Sequence, residues 1–402
     1  MDNREMISQR FKNVEGGLFS KVTKADVGDS FAAMGGKVTL MGWADPFYPD
    51  PAIPQNILDT VIEAYKSGFP AHYTQPTGSL ELRREIAKKL KSFNHLDADP
   101  SRNIIITPGS DSGLFFAMSA FLDQGDEVLV PDPSYPNNFL NPRLLGAITV
   151  PVMLDAEHNY RLDMEVFEAA VTEKTKMVVL THPNNPTTTV FSREELEELA
   201  SFIIKHNLIL VVDQAFEDTV FDNREFVTPA SLPGMWERTV TVFSISKGMA
   251  LSGFRVGYLV ACDTFMDVYY GAAVSVIGAA HTASQTGAVE AFRNPGFMDK
   301  YRQCYDRRRR YCVEAFGRVP KVKIEMPQSG FFCWVDVREL GDSTEIMEYI
   351  IREAGVAVND GKNYGEQGNG YLRIIDGCLG SDEEAKNAID RIAEALRKYP
   401  AK

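Results

Sequence analysis

Lys247 closes the segment Ser244-Ile245-Ser246-Lys247, directly after a β-branched run from Thr239 to Ser244. Leu251-Ser252-Gly253-Phe254-Arg255-Val256-Gly257-Tyr258 follows. A lysine at the end of a buried strand is costly as an ammonium, because burial disfavours the charged form. Its pKa falls, and the amine becomes a nucleophile of the kind that forms Schiff bases. Arg255 and the serines at 244 and 246 offer an anion site beside that amine. A nucleophilic amine next to a phosphate-sized anion site points to pyridoxal phosphate. Ser-x-Ser-Lys alone is a common pattern; the run through Tyr258 is not.

Three more groups stand where strands should end. Asp213 terminates the apolar run Leu208-Ile209-Leu210-Val211-Val212. A buried unpaired carboxylate is costly, so Asp213 calls for a positive partner. A protonated pyridine nitrogen would serve, and the pair would make the ring an electron sink. Capping a helix after a strand is the alternative role. Asn185 lies in His182-Pro183-Asn184-Asn185-Pro186-Thr187, where Asn-Pro marks a turn and a structural Asx-turn is the other reading. Gly109-Ser110-Asp111-Ser112-Gly113 precedes an apolar stretch from Leu114, where helix N-terminal amides would receive a phosphate. Asp111 is an unfavourable neighbour for an anion unless its side chain points away.

The elements that must position these residues are legible from about residue 100 to 262. Strands are expected at Ile104–Thr107, Glu127–Val130, Ile148–Val152, Lys176–Thr181, Leu208–Asp213, Thr239–Ser244 and Val256–Ala261. Several are near-continuous Val/Ile/Leu runs, as in a parallel sheet covered on both faces. Helices alternate with them. Arg193–His206 carries Leu196, Leu199, Phe202 and Ile203 as one stripe, with Ser192 and Glu195 at capping-box spacing. The pattern is an open α/β sheet with ligands at the carboxyl ends of its strands. Further on, a strand at 331–335 and helices at Ser343–Ala354 and Asp382–Tyr399 read as a smaller α+β unit, the last helix with Ser381 and Glu384 as a second capping box. The expected division is 46–290 for the large domain, with 1–45 and 291–402 forming the small one.

Composition narrows the partners. A chain of 402 residues, 44% hydrophobic and 24% charged, is long enough for two domains of ordinary globular make-up. A formal charge of −13 argues against nucleic acid and anionic membrane, both of which reward a basic surface. The one basic run, Arg307–Arg310, reads as a solvated helix face. The 5 cysteines are scattered, with no Cys-x-x-Cys pair, which favours reduced thiols over disulfides or a metal site. The start, Met1-Asp2-Asn3-Arg4-Glu5, has no apolar h-region, and no apolar run approaches the ~18 residues of a membrane span. A cytoplasmic protein is expected.

Taken in order along the chain, these segments resemble the class I/II aminotransferases, pyridoxal-phosphate enzymes of fold type I. The resemblance begins at Gly42 and His72-Tyr73 and passes through Gly109–Gly113, Asp132-Pro133-Ser134-Tyr135-Pro136, Asn184-Asn185-Pro186-Thr187, Asp213-Gln214-Ala215-Phe216 and Ser244–Tyr258. It ends at Gly370-Tyr371-Leu372-Arg373-Ile374. It implies a seven-stranded, mostly parallel sheet flanked by helices, plus a smaller domain. Lys247 would hold the cofactor as a Schiff base and then shuttle protons. Asp213 would pair the pyridinium, Asn185 would hydrogen-bond the phenolic oxygen, and Tyr135 would stack on the ring. Ser110, the Asp111 amide, Ser244 and Arg255 would hold the phosphate, joined by Tyr73 from a neighbouring subunit of a homodimer with shared sites. Arg373 would clamp the substrate carboxylate as a bidentate pair, helped by Asn185 and the Gly42 backbone.

Two positions depart from the family pattern. Phe216 stands where tyrosine is usual, removing one hydrogen bond to the phenolic oxygen. Thr188 replaces the glycine of Asn-Pro-Thr-Gly, so the turn is expected to avoid a glycine-only conformation. The expected activity is transfer of an amino group from an amino acid to a 2-oxo acid. Phe216 raises the alternative of an amino-acid decarboxylase or lyase, against which stands Arg373, because a clamped carboxylate lies in the ring plane. A ligand-sensing regulator built on the same domain is the other rival. It would join a DNA-binding helix-turn-helix to this domain, for which the segment before residue 46 is too short, and the acidic charge opposes DNA binding. Ala272–Thr282 contains His281 but no arginine, which disfavours a dicarboxylate side chain. Trp43, Phe47, Tyr48, Phe331 and Phe332 could line an aromatic pocket or simply pack a core.

Overall fold

The continuous apolar runs become the centre of a sheet in a computed structural model that describes residues 8–12, 38–47 and 53–400. After a short strand at Thr39–Leu40 (β1) come Ile104–Thr107 (β2), Glu127–Asp132 (β3), Ile148–Met153 (β4), Thr175–Thr181 (β5), Ile209–Asp213 (β6), Thr239–Ser244 (β7) and Gly257–Val260 (β8). The last seven form one sheet in the order β2-β8-β7-β6-β5-β3-β4. β3 to β7 run parallel to their neighbours in that group, and β8 alone is antiparallel, to both β7 and β2.

Successive side chains in a strand point to opposite faces, and both faces here are apolar. Val178, Leu180, Leu210 and Val212 pack on Leu196, Leu199 and Ile203 of the helix Arg193–Lys205. Met177, Val179, Val211, Val240 and Val242 pack on the other side with Leu114 and Met118 of the helix Ser110–Ser119. The Ser192–Glu195 capping box forms in both directions. At the last helix, Asp382–Lys398, only the Ser381 hydroxyl caps, accepting from Glu384 N at 3.2 Å.

Beyond the sheet lie Lys323–Ile324 (β9), Phe332–Asp336 (β10), Val356–Ala357 (β11), Asn359–Asp360 (β12) and Tyr371–Ile375 (β13). Four of them form a second sheet in the order β12-β13-β10-β9, and β11 pairs in parallel with β1. The helices Ser343–Ala354 and Asp382–Lys398 cover it through Ile346, Ile350, Ile389 and Ile392. At the other end of the early chain, Arg10 Nη1 donates to Leu144 O at 3.4 Å. Among the described residues, no helix is long and apolar enough to cross a membrane.

The basic run is not a solvated face. In the helix Phe297–Phe316, Tyr305, Arg308, Arg309, Cys312 and Phe316 are buried, at the three- and four-residue spacing of one helical stripe. Arg308 and Arg309 keep only 2% and 1% exposure. Arg309 donates to both carboxylate oxygens of Asp222 (3.0 and 2.6 Å), to Asp306 Oδ1 at 2.7 Å and to Pro327 O at 2.6 Å. Its guanidinium also lies 4.2 Å from the centre of the Phe221 ring. A count of like charges missed the inward phase of two of the four arginines. Arg309→Ala is expected to cost about 2–4 kcal/mol, because it empties a buried site and leaves the Pro327 carbonyl without that donor, while Asp222 and Asp306 stay partly exposed and paired with Arg310. The exposed Arg310→Ala should stay within about 1 kcal/mol. Denaturant midpoints of the two variants check the contrast.

Candidate active site

The carboxyl ends of β5, β6 and β7 deliver Asn185, Asp213 and Lys247 to one edge of the sheet, and β13 brings Arg373 to it from the second sheet. Lys247 Nζ donates to Ala44 O at 2.7 Å. Burial lowers its pKa to about 8, partly opposed by the nearby Asp111 carboxylate. Asp213 is 5% exposed, and among the described residues the one hydrogen-bond donor to its carboxylate is Ala215 N at 3.1 Å. Burial drives its pKa up to about 7, against that donor and the charge of Lys247.

Arg373 is 2% exposed. Its Nη1 donates to Asn185 Oδ1 at 2.9 Å, while Nε and Nη2 donate to Asn359 Oδ1 at 3.2 and 3.0 Å. Nη2 also reaches Gly42 O at 3.5 Å. The guanidinium lies 4.9 Å from the Tyr364 ring centre and 5.4 Å from that of Phe332. Every hydrogen-bond acceptor is neutral, and no carboxylate pairs with Arg373 among the described residues. An unpaired buried cation is expensive, so the position calls for an anion.

A second cation sits at the helix Ser110–Ser119. Arg255, in a left-handed conformation at φ 52°, donates from Nη1 to Ser252 O at 2.9 Å. Its guanidinium lies so close to Gly109 that a Cβ there would fall 2.3 Å from Nη2. A Cβ on Gly257 would fall 2.7 Å from Ser110 N. The backbone is thus bare where the helix amides begin. The Asp111 side chain points away from those amides and accepts from the Tyr135 hydroxyl at 3.0 Å and Asn137 Nδ2 at 3.1 Å. Ser244 Oγ accepts from Ser246 N at 3.1 Å. Among the described residues no carboxylate pairs with Arg255 or Arg373, and Asp213 feels the charge of Lys247 without forming an ion pair. These unpaired charges match a phosphate, a carboxylate and a pyridinium, so the residues fit pyridoxal phosphate and an amino-acid substrate.

Other expected residues are placed less directly. Tyr73 is 95% exposed and contributes nothing to its own chain's site. Phe216 is 3% exposed, with its ring 5.1 Å from Phe332 and 5.8 Å from Phe331. Phe331, Phe332 and Phe47 belong to the core around the second sheet, so core packing accounts for them; Trp43 is half exposed, and Tyr48 lies outside the described residues. His281 caps the helix Thr282–Arg293 and bonds the Tyr65 hydroxyl at 3.1 Å through Nε2. Thr188 overturns its expectation. It adopts φ 66°, the left-handed conformation rare for a β-branched residue. Its hydroxyl accepts from Gln328 N at 3.3 Å and its carbonyl from the Ser329 hydroxyl at 2.8 Å, bonds that hold the strained turn.

Sequence reasoning missed Asn359 and Tyr364, which surround Arg373, and Ala44 and Asp45. Asp45 accepts from the Ser252 hydroxyl. None stands in a motif of chemically distinctive residues; the only signal was their nearness to Gly42 and to the Arg373 strand. Away from the site, Cys312, Cys333 and Asp376 bring possible metal-ligand atoms within 4.8 Å of one another. Burial raises both thiol pKa values, and Cys333 Sγ donates to Asp376 Oδ2 at 3.6 Å. Both thiols lie in the packed core around the second sheet.

Residues 38–392 match the family model for "Aminotransferase class I and II". The chain is 34% identical to an aspartate aminotransferase of Pyrococcus abyssi over 87% of this chain and 90% of that one. It is 32% identical to an aromatic-amino-acid aminotransferase of Thermococcus litoralis, again over 87% and 90%. Its structure superposes on an aspartate aminotransferase of Thermus thermophilus with maleate at a TM-score of 0.87, with 26% identity over 97% of this chain and 99% of the other.

Proposed function

We propose a division of labour among these residues on the premise that the chain belongs to the class I and II aminotransferase family and is a pyridoxal-phosphate-dependent aminotransferase. The observation that carries the assignment is the set of charges without an ion-pair partner among the described residues: Asp213, Arg255 and Arg373. Lys247 supplies the amine that links to the cofactor. Asp213 pairs the ring nitrogen, and Asn185 donates to the phenolic oxygen, leaving Phe216 as apolar packing with no second donor. Tyr135 lies against the ring. Arg255, Ser244, Ser110 and the Asp111 amide hold the phosphate. When bound, the cofactor supplies an electron-withdrawing ring that stabilises negative charge at the substrate Cα. Lys247 Nζ, with its depressed pKa, is free to accept the Cα proton near neutral pH.

Arg373 grips the substrate carboxylate, with Asn185 and Gly42 fixing its plane. This orients the Cα–H bond toward Lys247 and keeps the carboxylate bond from breaking. Ala272–Thr282 has no arginine, which favours a donor without a second carboxylate, closer to the aromatic-amino-acid relative than to the aspartate ones. A panel of amino donors with pyruvate and 2-oxoglutarate as acceptors, read by keto-acid product, tests the reading. Arg373→Lys keeps the charge but loses the planar fork. It should raise KM at least about tenfold and lower kcat as well. Amines without a carboxylate reacting as well as amino acids would remove the clamp.

The same reading makes the enzyme a cytoplasmic homodimer. Leu58, Ile62, Tyr65, Phe69 and Tyr73 are exposed together on the helix Gln55–Lys66 and the turn after it. A second copy would cover that apolar stripe and receive Tyr73 at its phosphate. The unbridged cysteines suit a reducing compartment. Residues 46–290 would form the cofactor domain, and 1–45 with 291–402 the small domain that carries Arg373, with Arg10 reaching across to Leu144 of the cofactor domain.

A further inference from the structure

Asn359 stands in β12 directly beside Arg373 of β13 in the antiparallel register. Its Oδ1 accepts two N–H groups of the guanidinium, from Nε at 3.2 Å and Nη2 at 3.0 Å. The Tyr364 hydroxyl donates to the same oxygen at 3.4 Å. On its other side the amide is confined: a Cβ on Gly42 would fall 3.2 Å from Asn359 Nδ2. The carboxamide is therefore fixed between Gly42 and Arg373, and Asn185 holds the guanidinium from Nη1.

A neutral acceptor at this place does something an acid could not. A carboxylate would orient the guanidinium equally well but would neutralise it, and the substrate anion would then compete with an internal one. An aliphatic side chain would preserve the charge and leave buried N–H groups unmade. The carboxamide orients Arg373 and, among the described residues, no carboxylate neutralises its charge. We propose that Asn359 is a positioning residue that fixes the plane of Arg373 and reserves its charge for the substrate carboxylate. The proposal rests on Arg373 being the carboxylate clamp.

The test uses the cofactor-loaded enzyme with Asn359→Asp and Asn359→Ala. The probes are phenylalanine, its decarboxylated counterpart phenethylamine, and the non-reacting carboxylate 3-phenylpropionate. In Asn359→Asp, the Kd of 3-phenylpropionate and the KM of phenylalanine should both rise about tenfold or more, with a smaller fall in kcat. The preference for phenylalanine over phenethylamine should shrink by a similar factor. Asn359→Ala, at a partly exposed position, should weaken 3-phenylpropionate severalfold and lower kcat too, because the clamp plane is no longer set. A Kd within twofold of the parent in either folded variant overturns the proposal. Arg373→Lys is the control. If it leaves the phenylalanine preference intact, the clamp reading itself fails; if it removes that preference while the Asn359 variants are silent, only the positioning role fails.

Discussion

Replacing Lys247 with alanine is expected to lower transamination by at least about 10³-fold while leaving cofactor binding measurable. The substitution removes both the amine that links to the cofactor and the base that takes the Cα proton, and general-base catalysis alone contributes about 10²–10⁴-fold. Arg255, the helix amides at Ser110 and the carboxylate of Asp213 stay in place, so non-covalent affinity survives. Equilibrium dialysis of the cofactor against wild type and Lys247→Ala separates the two effects. Reduction with borohydride should fix the cofactor to the Lys247 peptide in wild type and to no peptide in the variant. Turnover within tenfold of wild type, or a label found on another lysine, would move the chemistry elsewhere. The depressed pKa makes this lysine suited to both tasks: an amine near pKa 8 is uncharged in a useful fraction of molecules at neutral pH, where a solvated lysine is almost wholly protonated.

Much of this site was legible because its chemistry falls at strand ends, and strand ends are where an apolar run stops. Lys247, Asp213 and Asn185 each close such a run or follow it closely, so periodicity located them before any fold existed. Arg373 is of another kind. It is buried in the middle of a strand, between Leu372 and Ile374 in the sequence, and only the family resemblance singled it out. Asn359 was out of reach because its role arises from strand pairing: two residues fourteen positions apart become neighbours only when β12 lies on β13. The arginine run shows the opposite failure. Charge alone placed Arg308 and Arg309 in solvent, whereas the phase of Tyr305, Cys312 and Phe316 on the same helix would have turned them inward. Thr188 failed for an energetic reason. Steric preference argued against a left-handed threonine, but two tertiary hydrogen bonds to the Gln328–Ser329 segment outweigh a cost of about 1–3 kcal/mol.

Asp213→Asn should uncouple stability from activity, in opposite directions. In the cofactor-free protein, burial holds the Asp213 carboxyl near pKa 7, well above the value near 3.9 of an unfolded chain. Below about pH 4 both states keep the proton, and burial of the neutral acid costs nothing extra. As pH rises from about 4 to 7 the unfolded state releases its proton while the folded state retains it, so stability falls across that window. A shift of about three units corresponds to roughly 4 kcal/mol as an upper bound. Asparagine accepts the Ala215 N–H through the same oxygen and has no proton to lose. The melting temperature of cofactor-stripped Asp213→Asn should therefore gain on wild type from pH 4 to 7.5. Asp376, whose pKa burial also raises to about 7, is present in both proteins and cancels from the difference. Adding pyridoxal phosphate should reverse the order at pH 7.5, because only the carboxylate gains a cationic partner. Turnover of the loaded variant should fall about 10²-fold or more, since an unprotonated ring is a poor electron sink. A melting difference that does not change with pH would mean that the acid is already paired within the folded chain, and the ring nitrogen would then need another partner.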